Sequence, residues 1–232
     1  KLGQICKEHN ILFHTDAVQA LGQIPLDVKQ MNIDLLSGSA HKLQGQKGVG
    51  CLYIRPGISI GPLIHGGGQE RHRRAGTENV PGIVGFGKAA ELALTHMDEK
   101  SEKEKKLRDY FIQSVLERIP FSRLNGCPKN RLPGNVNFSF QFIDGESLLI
   151  MLDMEGICAS SGSACTSGSV DPSHVLPAIG LPDEIARGSI RFTIGEENTK
   201  EEIDYVIDKL DSIISHLRSM NPVYQTFTSK SR

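Results

Sequence analysis

The sequence has no tryptophan, few cysteines and no excess of charge of either sign. Its five cysteines are odd in number and include no C-x-x-C pair, so neither a disulfide framework nor a zinc site is indicated. The 26 basic and 27 acidic side chains give a formal net charge of −1, which leaves no electrostatic basis for binding nucleic acid or an anionic membrane.

Long apolar runs are also missing. No segment approaches the roughly 18 apolar residues of a membrane helix, and the first ten residues contain no signal-peptide core. We therefore expect a cytoplasmic protein that binds neither nucleic acid nor membrane. The chain starts at Lys1 without an initiating methionine or a helix cap, and we expect it to be the C-terminal part of a longer protein.

The patterning predicts an α/β protein with two domains. Three short apolar segments, ILFHTDA, DLLSGS and VGCLYIR, predict strands at one edge of a sheet, the first of them buried. Residues 82–95 have a helical pattern. A dense charged run follows from Asp98, and an apolar stripe after it predicts a long helix. We place a domain boundary there, between residues 1–97 and 98–232.

The second half carries clearer periodicity. Apolar residues alternate with polar ones over residues 136–142, which predicts a half-buried strand. The same alternation around Arg191 predicts a strand that turns this side chain away from the core. Thr199 and Glu202 form a capping box at the start of a strongly amphipathic helix, and we expect the tail after Pro222 to be frayed.

Residues 37–42, SGSAHK, are the first candidate site. The hydroxyls of Ser37 and Ser39, with His41, can donate hydrogen bonds to an anion such as phosphate. A lysine held away from water, here Lys42, can lose its charge and form a Schiff base. A solvated His-Lys pair at a strand end is the commoner explanation of these residues taken alone.

Three further segments can carry chemistry. Asp16 ends a predicted buried strand, where a carboxylate is either a ligand contact that needs a cationic partner or a helix cap. Residues 160–169 surround Cys165 with serine and glycine, which indicates either an exposed nucleophile or a flexible linker. Cys158 is predicted to lie in the core. The basic, glycine-rich residues 65–80 are either an anion site or a solvated loop.

Taken together, these segments closely resemble the class I cysteine desulfurases of the NifS/IscS type, which are pyridoxal-phosphate (PLP) enzymes. The resemblance lies in the order and spacing of HTDAVQ, SGSAHK, GGGQERHRRAGTENV, SSGSACTS and GSIRFTIG. It implies a fold-type-I, aspartate-aminotransferase-like PLP transferase. Residues 1–97 would then be part of the large cofactor domain, and residues 98–232 the small C-terminal domain with a mobile cysteine loop at 160–169.

The resemblance also assigns cofactor contacts. Lys42 matches the Schiff-base lysine of the family, and Asp16 matches the carboxylate that pairs with the pyridine nitrogen. Gln19 matches the amide at the ring oxygen O3′, while Ser39 and His41 match phosphate ligands.

Three other residues match family positions outside the ring pocket. Thr77 matches a threonine that reaches the phosphate of the neighbouring subunit, which implies a homodimer with shared active sites. Arg191 matches the arginine that holds the substrate carboxylate. Cys165 matches the loop cysteine that takes the sulfur and becomes a persulfide.

The implied reaction converts L-cysteine into L-alanine and delivers sulfur to an acceptor or an iron–sulfur scaffold protein. Because the family's N-terminal portion is missing from the sequence, we expect this chain alone to bind PLP weakly or not at all. Two alternatives remain open. One is a selenocysteine lyase or aminotransferase of the same fold, and the other is a non-catalytic dimerisation or docking fragment. A thiol redox or metal module has the least support, since no second ligand lies near Cys165 in sequence.

Overall fold

The computed structural model describes residues 1–161 and 173–230. These form two compact units, Lys1–Glu99 and Lys100–Arg232. The helices are α1 (Leu2–Glu8), α2 (Gln69–His72), α3 (Val80–Arg118), α4 (Gly145–Met154), α5 (Val175–Ala178), α6 (Asp183–Ala186), α7 (Lys200–Met220) and α8 (Pro222–Lys230). The strands are β1 (His14–Asp16), β2 (Leu35–Ser39), β3 (Gly50–Ile54), β4 (Ser122–Leu124), β5 (Asn135–Phe140) and β6 (Ser189–Thr193).

The first unit is built on a three-stranded sheet in the order β1-β2-β3. Strands β1 and β2 are parallel, with Asp16 opposite Ser37, whereas β3 runs antiparallel to β2. Because parallel strands end at the same edge, the chain leaves β1 and β2 on one side of the sheet. Two small apolar clusters support it, one formed by Ala17, Ile33 and Leu36 and the other by Ala40, Leu43 and Phe86.

The prediction of a buried first strand is wrong. Only His14–Asp16 forms a strand, and its burial pattern has two exposed residues. Ile11 and Leu12, in the segment before it, are 60% and 58% exposed. The reason is topological: β1 is an edge strand, with a neighbour on one side only in the described sheet.

Helix α3 is longer than the sequence pattern indicates. It covers 39 residues without a break and contains both predicted helical segments, together with the charged run between them. Glutamate and lysine are strong helix formers, so a run of charge changes the composition of the helix without ending it. The helix spans the boundary between the two compact units, and the assignment of domains at residues 97 and 98 stays a prediction.

The second unit contains an antiparallel sheet in the order β4-β5-β6. The predicted strand over residues 136–142 is confirmed as β5, which ends two residues earlier. On one face, Phe138 and Phe192 pack edge to face with Phe111 of α3 at centroid distances of 5.5 and 5.2 Å. Helices α4 and α7 complete this core, which contains seventeen buried apolar residues.

The start of α7 agrees with its sequence pattern, whereas the chain beyond its end does not. The capping box is confirmed, since Thr199 accepts from the Glu202 amide and the Glu202 side chain accepts from the Thr199 amide. The expected frayed tail is wrong, because residues 222–230 form α8. This helix places Tyr224 and Phe227 against the rings of Phe121 and Phe142, at centroid distances of 5.2–6.4 Å.

Candidate active site

Polar side chains gather where β1 and β2 end. Asp16 is the last residue of β1, and Ser37 and Ser39 lie in the last three residues of β2, opposite or beyond it. The Nε2 atom of His14 is 2.8 Å from Ser37 Oγ, and His41 Nδ1 is 2.8 Å from Ser39 Oγ. The carboxyl end of parallel strands is where open α/β sheets bind ligands, so these donors have the expected location.

A short 3₁₀ helix, Ala40–Leu43, positions Lys42 beyond β2. Ala40 and Leu43 are buried and pack with Phe86, whereas His41 and Lys42 between them are exposed. The apolar pair therefore anchors the turn and leaves the basic pair on the surface. Within the described part of the chain, Lys42 forms neither a salt bridge nor a hydrogen bond, so its Nζ remains available to a ligand.

Asp16 has a local role in the turn that follows β1. Its side chain is exposed, and its Oδ1 atom accepts a hydrogen bond from the Val18 amide at 2.9 Å, which stabilises the turn after β1. No described side chain forms an ion pair with Asp16, and the bond from the Val18 amide agrees with the capping alternative, while the ligand contact stays a prediction. Its Oδ2 atom accepts no hydrogen bond from the described residues and can bind a ligand. Gln19 lies in the same turn and is also exposed.

The basic loop holds Thr77 apart from these contacts. Thr77 is exposed, and none of the described side chains forms a hydrogen bond with it. Three consecutive residues before it, Glu70, Arg71 and His72, have φ values of 50°, 56° and 62°. Such left-handed backbone is uncommon for residues other than glycine, and the cost of each is on the order of 1–3 kcal/mol.

Arg191 belongs to the second unit, on β6. It is half-buried between the buried side chains of Ile190 and Phe192, so the predicted outward direction is confirmed. On one side it is paired with Asn137 of β5, and on the other its backbone exchanges two hydrogen bonds with Ser160, of 2.7 and 3.0 Å. Its guanidinium has no carboxylate partner among the described residues.

The cysteines divide into described and undescribed positions. Cys165 lies in residues 162–172, outside the described residues. The prediction that Cys158 belongs to the core is wrong, because it is exposed. Ile157 and Ala159 pack against the core on either side of it, and an extended chain directs the residue between them outward.

Backbone amides of Asn130 and Lys129 hold the pKa of the exposed Cys127 thiol below its ordinary value.

Two residues near these groups do not stand out in the sequence. His14 lies on the same face of β1 as Asp16, and strand alternation identifies it only once β1 is accepted as a strand. Asn137 is one of several polar positions in an alternating strand. Its place beside Arg191 depends on the register of β5 and β6, which the sequence pattern does not define.

Comparison with known proteins identifies the relatives of this chain. Residues 1–206 match the aminotransferase class-V family. The chain belongs to this family. Cysteine desulfurase IscS of Dictyoglomus turgidum is 56% identical over 225 residues, and that of Methanosarcina thermophila is 55% identical over 223 residues.

These matches cover 97% and 96% of this class-V aminotransferase chain, but only 57% and 55% of the two relatives. The chain therefore spans somewhat more than half the length of the curated relatives it matches. An X-ray structure of a NifS-like protein from Rickettsia africae superposes with a TM-score of 0.84 at 34% identity, covering 92% of this chain and 56% of that one. The predicted fold class, an α/β aminotransferase-like fold, is confirmed.

The class-V aminotransferase family depends on PLP. The residues at the β1–β2 edge fit this group chemically. The hydroxyl of half-buried Ser39 and the imidazole of exposed His41 suit a phosphate. Lys42, which has no ion-pair partner among the described residues, suits an aldehyde. Asp16 offers a ring nitrogen its Oδ2 atom, which no described residue occupies. In the described part of the chain, no helix is long and apolar enough to cross a bilayer, and no cluster of metal ligands occurs.

Proposed function

We propose that the protein containing this chain is a PLP-dependent cysteine desulfurase. The observation that carries the proposal is the 55–58% identity to proteins named cysteine desulfurase IscS over nearly the whole chain. The available lysine after β2, with phosphate-type donors close before it at Ser39 and His41, supports the same conclusion. The substrate is L-cysteine, and the products are L-alanine and sulfur bound to the enzyme.

The cofactor-binding roles fall on the β1–β2 edge. Ser39 and His41 donate hydrogen bonds to the phosphate, and Asp16 holds the proton on the pyridine nitrogen. Gln19 donates to the ring oxygen. When bound, PLP withdraws electrons from the substrate Cα and so stabilises its carbanion. Lys42 would hold the cofactor aldehyde until the amino group of the substrate takes its place, and the freed Nζ could then take the Cα proton and return a proton to the product.

Arg191 and Cys165 act on the substrate itself. The Arg191 guanidinium binds the α-carboxylate, which places the amino acid in one orientation. The Cys165 thiolate attacks the substrate sulfur, the Cβ–S bond breaks, and the released carbon takes up a proton. The overall change is L-cysteine plus a Cys165 thiol giving L-alanine plus a Cys165 persulfide, which needs no external oxidant. An acceptor thiol or iron–sulfur scaffold then receives the outer sulfur.

A homodimer completes the proposal. Thr77 forms no side-chain hydrogen bond with the described residues, and its exposed hydroxyl can reach a phosphate in a second subunit. The strained residues 70–72 just before it are typical of a segment whose conformation is stabilised by a ligand or partner. We propose that two copies share their active sites through this loop.

The decisive experiment separates desulfuration from its alternatives. In the enzyme that contains this chain, Cys165→Ala should reduce sulfide release from L-cysteine by at least about 100-fold, while retaining reaction of the cofactor with the amino acid. Cys127→Ala is the matched control, because its thiol is exposed and its pKa is lowered; it should keep at least half of the activity.

Cofactor attachment is tested in the same preparations. After borohydride reduction, peptide mapping should find a pyridoxyl group on Lys42, which Lys42→Ala removes and Lys47→Ala, an exposed neighbour, leaves in place. Equal sulfide release by Cys165→Ala and wild type would favour a lyase or aminotransferase of the same fold. Absence of both the adduct and the activity from the wild type would favour a docking fragment.

A further inference from the structure

A row of polar side chains crosses the second unit at Arg191. In the sheet register Asn137 lies directly opposite Arg191 on β5, and Ser160 lies directly opposite it on the other side, through an isolated antiparallel bridge. Residues directly opposite one another in antiparallel pairs project from the same face, with Cβ atoms about 4.5–5.5 Å apart. An amide, a guanidinium and a hydroxyl therefore stand side by side.

The amide of Asn137 is held in a fixed orientation. Asn125, itself only 4% exposed, donates from Nδ2 to Asn137 Oδ1 at 2.6 Å and to Ser139 Oγ at 2.7 Å. Ser139 continues the chain of bonds to Ser189, with 2.6 Å between the two hydroxyl oxygens. Because Asn137 Oδ1 is already used, its two Nδ2 hydrogens are the groups left to bind a ligand. None of the described residues accepts from them.

The environment of Arg191 favours an anion with more than two acceptor positions. A carboxylate offers about four lone-pair directions, and a bidentate guanidinium occupies two of them. Asn137 and Ser160, on either side of Arg191, can donate hydrogen bonds to the two remaining lone-pair directions. Because no described carboxylate pairs with the half-buried Arg191 guanidinium, its charge is costly to desolvate until an anion binds.

We propose that Asn137 and Ser160 flank Arg191 as binding residues for the α-carboxylate of the amino acid. This inference rests on the proposed function, because it takes Arg191 to be the carboxylate site. Asn137 is oriented by Asn125 and donates from Nδ2, and Ser160 donates from its hydroxyl. Asn137 and Ser160 together fix the orientation of the α-carboxylate. Recognition at Arg191 therefore depends on the carboxylate and not on the side chain of the amino acid.

The test titrates the full 232-residue chain with L-alanine and, separately, with L-alaninamide, which lacks the carboxylate. The readouts are the NMR signals of the Arg191 Nε–H and the Asn137 side-chain amide. Wild type should respond to L-alanine and not to L-alaninamide. Asn137→Asp keeps the acceptor for Asn125 but replaces the donor with a negative charge, so it should weaken L-alanine binding at least tenfold, or about 1.4 kcal/mol.

Asn135→Asp is the matched control. It makes the same change on the same strand and face, but opposite Thr193 instead of Arg191, and it should weaken binding less than threefold. Ser160→Ala should give an intermediate loss. Equal losses in the two aspartate variants, equal responses to both ligands, or no response of Arg191 would overturn the inference. The readout needs neither PLP nor sulfur transfer, so a failure of desulfuration is seen separately.

Discussion

At the scale of single residues, one buried carboxyl stands out in the second unit. Glu104 of α3 is 1% exposed, and its Oε1 is 3.9 Å from Lys100 Nζ. Burial raises the pKa of the Glu104 carboxyl above its ordinary value; nearby Lys100 opposes this shift and Glu196 adds to it. The folded state therefore holds a proton on this group at pH values where the unfolded chain has lost it.

This shift predicts a pH-dependent gain from Glu104→Gln. Stability from the protonated carboxyl is fully present below the ordinary pKa and is lost as the pH rises through the raised pKa. Glutamine does not titrate, so the difference in melting temperature between the variant and wild type should grow in favour of the variant from about pH 4.5 to about pH 8. Circular dichroism melts would measure it.

Glu102→Gln is the control for this series, because Glu102 lies on the same helix but its side chain is 61% exposed. The difference between this variant and wild type should change less with pH than that of Glu104→Gln. An equal change in the two variants would show that burial does not raise the pKa of Glu104.

The sequence predicts whether a side chain points toward the core or away from it where large apolar residues alternate with it along an extended segment. The direction of Arg191 follows from strand alternation, since Ile190 and Phe192 on either side of it are large and apolar. Cys158 is misassigned when burial is inferred from its apolar neighbours, because alternation directs those neighbours and the cysteine to opposite faces. The roles of the eight site residues come from the family resemblance and stay predictions.

At the scale of elements, α7 and α8 meet at a shared cap. Asn221 ends α7, its Oδ1 accepts from the amides of Val223 and Tyr224 at the start of α8, and its Nδ2 donates to the Phe142 carbonyl at 2.9 Å. One side chain thus joins two helices to the segment that follows β5. The sequence shows only a proline near a helix end, which a frayed tail explains equally well.

Replacing this cap should be costly. Asn221→Ala removes three hydrogen bonds and should lower the free energy of unfolding by about 1–2 kcal/mol. Ser219→Ala should change it by less than about 0.5 kcal/mol, because among the described residues the Ser219 hydroxyl bonds only to the His216 carbonyl of its own helix. Urea denaturation followed by circular dichroism would compare them, and equal midpoints would contradict the role of the cap.

At the scale of the whole molecule, apolar burial is unevenly distributed. Among the described residues, the main core of the second unit has seventeen buried apolar residues, whereas the two clusters of the first unit have three each. The composition predicts a globular chain and the patterning an α/β fold, but neither gives a sign of this imbalance. It depends on which strands lie at a sheet edge, as β1 does.

We expect the imbalance to appear in native-state hydrogen exchange. Amides of β5, β6 and α7 should exchange only through global unfolding, the opening of highest free energy. Amides of β1–β3 should exchange through local openings of lower free energy. Mass spectrometry of peptic peptides across a denaturant series would resolve the two classes. Equal protection of both sheets would show that the first unit is as stable as the second despite its smaller clusters.

The rings that α8 covers carry a consequence for shortening the chain. Phe121 and Phe142 have φ values of 56° and 66°, a backbone region that bulky residues seldom occupy, and Phe227 packs on both rings. Helix α8 thus stabilises an unfavourable backbone conformation at Phe121 and Phe142, which are far apart in the sequence. A chain that ends at Met220 would keep every described strand but lose the ring contacts that stabilise these two turns.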